Sequence, residues 1–397
     1  MLVTPKYHVT YCTNIHGGSD WKETFAHLNT YVPQIKAAVS PNQPFGLGLR
    51  LSNKASEELG DSHQLSNFKN WLDTNGIYVF TMNGFPYGTF HNEMIKDDVH
   101  TPDWTTKERL EYTLRLFDQL AYVLPQECAS GGISTSPISY KNWYTSEVAV
   151  EKAFRSATEH LVEIAVHLHA LESKTGKYLH LDIEPEPSGF LENSDDVLLF
   201  FDQYLIPIGV PVLEKRLHVS PSQAENLLKR HLTVCYDICH FSLAYEEPAY
   251  TFEKLRLAGI SVGKIQVSSA LKVQSQSDNE EIWQLLSLFD EPTYLHQVTE
   301  KTENYVHTYS DLPEVLSQRK DFTELRAHFH VPIFLERFGK LQSTQDQILN
   351  VLDYLKTHSV TDHLEVETYT WDVLPNALQI ELSASIIREL NWLTAKL

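Results

Sequence analysis

Carboxylate side chains follow three short apolar segments of this sequence, at the points where each segment gives way to turn residues. Glu184 follows LHLDI, Asp237 follows LTVCY, and Glu367 follows HLEV. His240 comes three residues after Asp237, so one turn of chain brings the carboxylate and the imidazole over the same cavity. Such groups bind divalent metal ions and act as general acids and bases. The pattern indicates a metal centre or an acid–base pair, although a salt bridge or a helix N-cap explains each acid taken alone.

Three further residues are candidates for the same metal or acid–base site. Gln266 ends the segment KIQ, and its amide oxygen can bind a hard metal ion or a hydroxyl group, although a structural role is the common one for such a residue. His328 and His330 alternate in HFHVPIF, so an extended chain turns both imidazoles to one face. This face belongs either to a metal or substrate site or to a surface hairpin.

Loop residues near the first and third apolar segments are candidates for contacting a ligand. Because loops on a rigid scaffold often carry binding residues, we expect pocket-lining roles for His16, Asn83, Tyr87 and His91. Arg50 and Arg337 are the basic residues best placed to meet a phosphate or carboxylate. An internal ion pair explains either arginine equally well in so acidic a chain.

These side chains need a scaffold that brings the ends of distant segments together. Short apolar runs alternate with longer amphipathic stretches, which is typical of βα units around a parallel sheet. Most of the runs lack a polar face, as do strands that are covered on both sides. The strand candidates are residues 7–12, 45–51, 77–82, 132–135, 178–183, 232–236, 262–267 and 363–366.

The number of strand candidates, with helices between them, predicts an α/β fold of the TIM (β/α)8 barrel type, whose active site lies at the carboxyl ends of the strands. Amphipathic stripes predict helices over residues 109–124, 147–173 and 345–356. We expect a single barrel domain over residues 1–397, with an insertion between strands seven and eight at about residues 275–360, where the gap is too long for one βα unit. A doubly wound sheet is the competing architecture.

The charge balance limits the classes of partner. The chain has 52 Asp and Glu against 32 Lys and Arg, a formal net charge of −20 at pH 7. An acidic surface repels phosphate backbones, and the sequence has no basic patch, so we expect no nucleic-acid partner. The sequence has neither an apolar run of about 18 residues nor an amino-terminal signal pattern. We therefore expect a cytoplasmic protein with no direct membrane insertion.

The strand-end residues resemble those of the xylose-isomerase-like TIM barrels, which include sugar isomerases, sugar epimerases and endonuclease IV. In the epimerase branch two glutamates, an aspartate and a histidine bind one divalent ion, and the glutamates exchange a substrate proton. The resemblance implies an ion held by Glu184, Asp237, Gln266 and Glu367. It implies catalytic roles for Glu184, Glu367 and His240. Gln266 stands where the superfamily usually has histidine.

The same resemblance suggests roles for the two later histidines. Endonuclease IV has further ligands between its metal residues on strands seven and eight. By analogy, His328 is a candidate metal ligand and His330 a candidate substrate contact. Arg337 is also a candidate substrate contact, as a basic residue suited to a phosphate or carboxylate. Oxygen-rich ligands with few histidines favour Mn²⁺ or Mg²⁺, and Zn²⁺ is the alternative.

Long strings of the sequence, among them YCTNIHGG, LDIEPEP, VCYDICHFSLAYE and HLEVETYTWDVLP, resemble the EboE family over nearly the whole chain. Its members are called metabolite traffic proteins, and their gene clusters also encode a prenyltransferase-like membrane protein. The resemblance implies a small-molecule metabolite as ligand and proteins of the same export cluster as partners.

Three classes of function remain open on the sequence. The first is a metal-dependent isomerase or epimerase, in which an ion chelates two oxygens of a hydroxy-carbonyl substrate and acidifies the C–H between them. The second is a non-catalytic metabolite-binding protein that supports export of a prenylated or secondary-metabolite precursor. The third is an endonuclease IV-like phosphodiesterase, which the net charge of −20 disfavours.

Overall fold

The computed structural model describes residues 1–4, 6–88, 96–276, 279–303, 305–370, 374 and 381–397. Within these residues the strands form two sheets. In chain order the strands are β1 (Leu2–Val3), β2 (Tyr7–Tyr11), β3 (Phe45–Arg50), β4 (Ile77–Asn83), β5 (Ser130–Thr135), β6 (Tyr178–Ile183), β7 (Leu232–Asp237), β8 (Val262–Val267), β9 (Leu271–Gln274), β10 (Val298–Lys301), β11 (Val306–Tyr309), β12 (Glu324–Ala327), β13 (Arg337–Phe338), β14 (Leu341–Ser343) and β15 (His363–Val366).

The first sheet is a barrel. Its order is β1-β2-β15-β8-β7-β6-β5-β4-β3, and every pair is parallel except β1 with β2. The ring closes between β2 and β3, where Cys12 bridges to Gly48 and the Gly48 N–H donates to Thr10 Oγ1 at 2.9 Å. A doubly wound sheet would keep two open edges and reverse its strand order. The predicted TIM barrel is therefore confirmed.

The barrel strands form where the apolar runs predicted them. All six residues of β3 and all six of β7 are buried, because helices cover one face of each strand and the barrel interior covers the other. The predicted strand at 132–135 is extended to Ser130, and the other boundaries move by at most one residue.

Helices form the outer layer of the barrel and part of the segment between β8 and β15. α5 illustrates why they form: Ser146 accepts a hydrogen bond from the Ala149 N–H at the start, and Gly176 ends the helix at φ 72°. The helices are α1 (Trp21–Val39), α2 (Asn53–Leu59), α3 (Ser62–Asn75), α4 (Lys107–Val123), α5 (Glu147–Thr175), α6 (Ser194–Phe200), α7 (Ile206–Leu217), α8 (Pro221–His231), α9 (Ile238–Leu243), α10 (Pro248–Leu257), α11 (Glu280–Leu286), α12 (Leu312–Gln318), α13 (Gln345–Leu355) and α14 (Leu382–Thr394).

The second sheet lies between β8 and β15 in the chain. It is antiparallel, with the order β11-β10-β12-β9-β14-β13. We call the segment from β9 to β14, which also carries α11 and α12, the inserted sheet. It begins a few residues before the predicted insertion. α13 lies inside the predicted limits but packs on α10 as an outer helix of the barrel.

The interior of the barrel is polar. Lys264 Nζ lies 2.6 Å from Glu365 Oε2 and 2.9 Å from Ser134 Oγ, and both members of the ion pair are fully buried. Gly48 makes room for this pair, because a Cβ at that position would lie 1.8 Å from Glu365 Oε1. Glu365 precedes Glu367 by two residues, so the ion pair lies directly below the strand ends.

One helical stretch of the described residues has the length and composition of a membrane span. Ser194–Leu217 reaches a mean hydropathy of 1.5, and 33% of that window is buried. It packs against α5 and α8, and Gly209 allows close contact with Leu228 and Val162. An outer barrel helix has the same composition, so this property is weak evidence for a membrane span.

Candidate metal and substrate site

A pocket opens at the carboxyl ends of the barrel strands, where the active sites of such barrels lie. Barrel residues form its floor: Asn14, Asn83, Glu184, His240 and Glu367. The inserted sheet and its loops contribute Tyr294, Leu295, Gln297, His328 and His330. The remaining wall consists of Phe85, Pro86, Lys96, Val99, His100, Glu186 and Tyr369.

Three carboxylates meet at the floor. Ligand oxygens of Glu184, Asp237 and Glu367 lie within 4.8 Å of one another, and all three side chains are buried. Asp237 caps α9, where its Oδ1 accepts from the His240 N–H at 2.9 Å. Among the described residues, Glu184 Oε2 and Asp237 Oδ2 have no hydrogen-bond partner. Asp237 therefore serves as the N-cap of a helix and also leaves one oxygen available at the floor.

Amide side chains from two other strand ends orient Glu367. Its Oε1 accepts from Asn14 Nδ2 at 2.7 Å and from Asn83 Nδ2 at 2.9 Å. Asn83 Oδ1 in turn accepts from the Phe85 N–H at 3.0 Å, which fixes the orientation of the amide. The glutamate is thus held in one orientation before any ligand arrives.

Burial, together with the proximity of these acids to one another, raises the pKa values of Glu184 and Glu367. Burial raises the pKa of Glu184 well above its usual value, and the nearby carboxylates of Glu367 and Asp237 raise it further. Burial also raises the pKa of Glu367, with Asp237 the next contributor. Burial raises the pKa of Glu186. A bound cation would reverse these effects and keep the carboxylates ionised.

Three imidazoles lie above the carboxylates. His240 Nδ1 lies 3.1 Å from the Pro185 carbonyl, His328 Nδ1 lies 2.8 Å from Gln297 Oε1, and His330 Nδ1 lies 2.8 Å from the Glu367 carbonyl. Gln297 Nε2 donates to the Pro187 carbonyl at 2.9 Å, which fixes the amide so that Oε1 faces His328. Because a carbonyl oxygen only accepts, each Nδ1 must carry the proton.

This tautomer leaves three bare Nε2 atoms at the site. His240 Nε2 and His328 Nε2 lie 3.0 Å apart, so two lone pairs face each other. Among the described residues, His330 Nε2 has no hydrogen-bond partner. Burial lowers the pKa of His240 to about 4 and lowers that of His328 and His330, so protonation does not relieve the repulsion near neutral pH.

The donor set fits a divalent metal ion. Four groups of the described residues have ligand atoms within 4.8 Å of one another: Glu184, Asp237 and Glu367; Asp237, His240 and His330; Glu186, His240 and His328; and Cys239, His328 and His330. Bare imidazole nitrogens with Nδ1 held by a carbonyl oxygen are the usual arrangement of histidine ligands. The residues present can therefore hold a divalent ion.

Gln266 lies beside this donor set rather than in the pocket lining. It pairs with Asp237 across β7 and β8, and its Oε1 accepts from the Cys235 thiol at 2.9 Å. Within the part of the chain that the structure describes, Gln266 Nε2 has no hydrogen-bond partner. The oxygen that the sequence assigns to a metal is already used by a buried thiol.

Two buried arginines hold the loop after β4 against the barrel. Arg50 Nη1 donates to the Gly18 carbonyl at 3.2 Å, and its Nη2 donates to the Gly88 carbonyl. Arg109 Nη1 donates to the carbonyls of Gly84 and Phe85 at 2.7 and 2.9 Å. Both guanidinium groups are therefore occupied by backbone oxygens instead of facing the pocket.

Several predicted substrate contacts lie elsewhere. His16 Nε2 bonds with Tyr11 OH at 2.9 Å, and its ring stacks on Tyr31. Tyr87 packs edge-on against Tyr112. Arg337 is 67% exposed beside Glu336 in β13. The structure brings none of these three to the pocket lining, and the predicted contact His91 lies outside the described residues.

The lining also contains residues that the sequence did not single out, among them His100, Lys96 and Gln297. His100 Nε2 lies 3.1 Å from Glu186 Oε1, Lys96 lies at the rim, and Gln297 orients His328. His100 and Lys96 belong to a short 3₁₀ turn, where no periodicity marks a functional position. Gln297 adjoins His296 in the predicted insertion, and this polar pair before a strand was the one available signal.

No protein-family profile and no curated protein sequence matches the chain significantly. Solved structures align with it, among them the probable 3-DHS dehydratase AsbF of Bacillus anthracis (12% identity, 98% of this chain and 98% of that chain, TM-score 0.44), a D-tagatose 3-epimerase-like protein (10%, 98% and 96%, 0.49), and a xylose isomerase domain protein from Planctomyces limnophilus (12%, 93% and 91%, 0.48). A likeness at this level of identity concerns the fold and does not identify a reaction in the pocket.

Proposed function

We propose that this chain binds a divalent metal ion at the barrel mouth and catalyses isomerisation or epimerisation of a small polyhydroxylated metabolite. One observation carries the proposal: the buried oxygens of Glu184, Asp237 and Glu367 lie within 4.8 Å of one another, and Asp237 is equally close to imidazole nitrogens of His240 and His330. Buried carboxylates this close repel one another unless they are protonated or joined by a cation.

The ligands proposed for the ion are Glu184, Asp237 and Glu367, with His328 as a flanking donor. Gln266, which was also named from the sequence, would have to release the Cys235 thiol before its oxygen could bind the ion. A divalent ion at this position polarises a substrate carbonyl and acidifies the adjacent C–H. The three carboxylates favour Mn²⁺ or Mg²⁺. A centre displaced toward His240, His328 and His330 would favour Zn²⁺ instead.

The two glutamates are suited to exchanging a proton with the substrate. Asn14 and Asn83 hold Glu367 in one orientation, and Glu184 Oε2 has no partner among the described residues. Two acids whose pKa values are raised together tend to ionise one at a time, so one can accept a proton while the other donates. His240 Nε2 lies over the same floor and can accept a hydrogen bond from a substrate hydroxyl.

Metal binding tests the first half of the proposal. We expect isothermal titration of the purified protein with Mn²⁺ to give micromolar or tighter affinity, and Asp237→Asn to weaken it at least about tenfold by removing a ligand charge. Glu253→Gln, at an exposed position in α10, is the matched control. A wild-type protein that binds neither Mn²⁺ nor Zn²⁺ would exclude a metal enzyme.

Proton exchange tests the second half. In D₂O, unphosphorylated ketoses such as D-fructose and D-tagatose are expected to acquire deuterium next to the carbonyl, as measured by NMR. Glu367→Gln is expected to abolish this exchange, because an amide cannot take the proton. Exchange at the wild-type rate in Glu367→Gln would contradict the role of Glu367.

A non-catalytic metabolite-binding role is the second candidate, and Gln266 favours it. Its amide oxygen accepts from Cys235 at 2.9 Å, so one expected ligand is occupied. The chain would then act as its resemblance to the EboE family implies, as a cytoplasmic metabolite traffic protein that works with proteins of an export cluster. Both candidates have a small molecule as ligand and need neither nucleic acid nor insertion into a membrane.

A further inference from the structure

The wall of the pocket has one cationic side chain among the described residues, Lys96. Its ammonium is not free, because Nζ lies 2.7 Å from Asp311 Oδ2 and both side chains are largely buried. The Lys96 N–H also donates to the Thr293 carbonyl at 3.1 Å, which anchors the backbone beside the inserted sheet. The positive charge of Lys96 is therefore balanced by the carboxylate of Asp311.

Within the part of the chain that the structure describes, no second lysine or arginine lines the pocket. Lys264 lies below the floor in its ion pair with Glu365, and Arg50 and Arg109 donate to backbone carbonyls. The residues outside the described ranges are Pro5, 89–95, 277–278, Asn304, 371–373 and 375–380, and their sequences contain neither lysine nor arginine. This conclusion about cations therefore does not depend on where those residues lie.

The rest of the wall has neither lysine nor arginine among the described residues. Phe85, Pro86, Val99 and Leu295 contribute apolar surface to the lining, and Glu186 contributes a carboxyl group. An anionic group at this wall, away from the metal site at the floor, would lose its hydration without gaining a charged side chain as partner. An uncharged ligand with an apolar side avoids this cost.

We infer that the pocket selects an uncharged polyhydroxylated ligand over its phosphorylated form, and that the Lys96–Asp311 ion pair determines this selectivity. The inference deepens the proposed function and rests on it for the polyhydroxylated part. Asp311 is the residue that sets the charge of the rim. Its Oδ1 accepts from the N–H groups of His296 and Leu312 at 2.9 and 3.0 Å, and only Oδ2 pairs with Lys96.

Asp311→Asn keeps the hydrogen bonds that Asp311 accepts from the backbone and removes the negative charge that pairs with Lys96. The asparagine keeps Oδ1 for both backbone N–H groups and is itself a favourable N-cap residue for α12, but its NH₂ no longer pairs with Lys96. The ammonium then becomes available to an anion. Asp346→Asn is the matched control, because Asp346 Oδ1 pairs with Lys272 at the same distance of 2.7 Å, and neither residue is part of the pocket lining.

The test is titration with inorganic phosphate, followed by ³¹P NMR, with and without added Mg²⁺, which is diamagnetic and leaves the ³¹P signal sharp. We expect Asp311→Asn to bind phosphate at least about tenfold more tightly than the wild type in both conditions, since hydrogen bonds to charged groups contribute on that scale. The double variant Asp311→Asn with Lys96→Gln should lose the gain, and Asp346→Asn should show none. Wild-type protein should bind D-fructose 6-phosphate no more tightly than D-fructose.

Equal phosphate affinity in wild type and Asp311→Asn would overturn the inference, as would tighter binding of D-fructose 6-phosphate by the wild type. A gain that survives in the double variant would also overturn it, because Lys96 would not be the group that binds. Failure of the proposed function has a different signature: no Mn²⁺ binding, with the phosphate difference between the variants intact.

Discussion

Replacing Lys264 by methionine should destabilise the barrel more than any change at a surface ion pair. Lys264 and Glu365 are both fully buried, with 2.6 Å between Nζ and Oε2. Lys264→Met removes the cation and leaves the Glu365 carboxylate in the interior, with Gly48 packed against its other oxygen. Loss of one partner of a buried pair costs about 3–5 kcal/mol, because the remaining charge is neither hydrated nor compensated.

The same substitution should weaken metal binding. Lys264 lowers the pKa of both Glu184 and Glu367, so its loss raises those pKa values further. Protons compete with a metal ion for the carboxylates, and the apparent Mn²⁺ affinity near neutral pH should fall. This loss of Mn²⁺ affinity should become smaller as the pH rises, because the carboxylates are then ionised even when the charge of Lys264 is absent.

Urea unfolding followed by circular dichroism measures the first effect, and Mn²⁺ titration measures the second. Lys272→Met is the control, since its partner Asp346 is 51% exposed and such pairs contribute about 0.2–1 kcal/mol. In a double-mutant cycle, Lys264→Met with Glu365→Gln should cost at least about 2 kcal/mol less than the sum of the single changes. A loss below about 1 kcal/mol in Lys264→Met, or additivity in the cycle, would refute this account of the barrel interior.

Three further predictions concern protons, space and pH. Mn²⁺ binding should release protons, because the floor carboxylates have raised pKa values, and titration in two buffers of different ionisation enthalpy detects the release. Gly48→Ala should lower the free energy of unfolding by about 3 kcal/mol in urea, since its Cβ would lie 1.8 Å from Glu365 Oε1. Gly17→Ala is the control: its Cβ would lie 3.6 Å from the His27 ring, and the free energy of unfolding should change by no more than about 0.5 kcal/mol. Burial lowers the pKa of His231 to about 4, so between pH 6.5 and 4 the unfolded chain binds more protons than the folded chain and the free energy of unfolding decreases as the pH is lowered. His231→Gln should remove roughly 2–3 kcal/mol of this decrease, measured between pH 7 and 4.5.

Each of these predictions has a result that contradicts it. Metal binding without proton release would mean that the carboxylates are already ionised in the free protein. Equal stability of the Gly48 and Gly17 variants would mean that Glu365 moves freely in the interior. An unchanged acid dependence in His231→Gln would assign the loss of stability to other groups.

The barrel could be predicted from the sequence because its strands are buried on both faces. A run such as residues 232–236 is apolar without alternation, and turn residues separate it from its neighbours, so the boundaries were predictable to within about one residue. The inserted sheet was predictable only as extra length. Its strands are two to four residues long, too short for a periodicity that distinguishes a strand from a loop.

The floor of the site was more predictable than its walls. Glu184, Asp237 and Glu367 stand at strand ends, and the barrel topology places such positions around one mouth. His100 and Gln297 reach the same pocket from a 3₁₀ turn and from the loop before β10, whose paths depend on tertiary packing. The same packing turns Arg50 toward carbonyls, a contact that no spacing in the sequence indicates.

The hydrogen bond between Asn14 and Glu367 joins residues 353 positions apart. On the ribosome, synthesis at about 5–20 residues per second separates their appearance by roughly 20–70 seconds, during which β2 lacks its parallel partner β15. Until then the apolar edge of β2 is open to pairing with other chains. Chaperone dependence in cells should therefore concentrate in this interval, and the barrel can close only when the last strand has emerged.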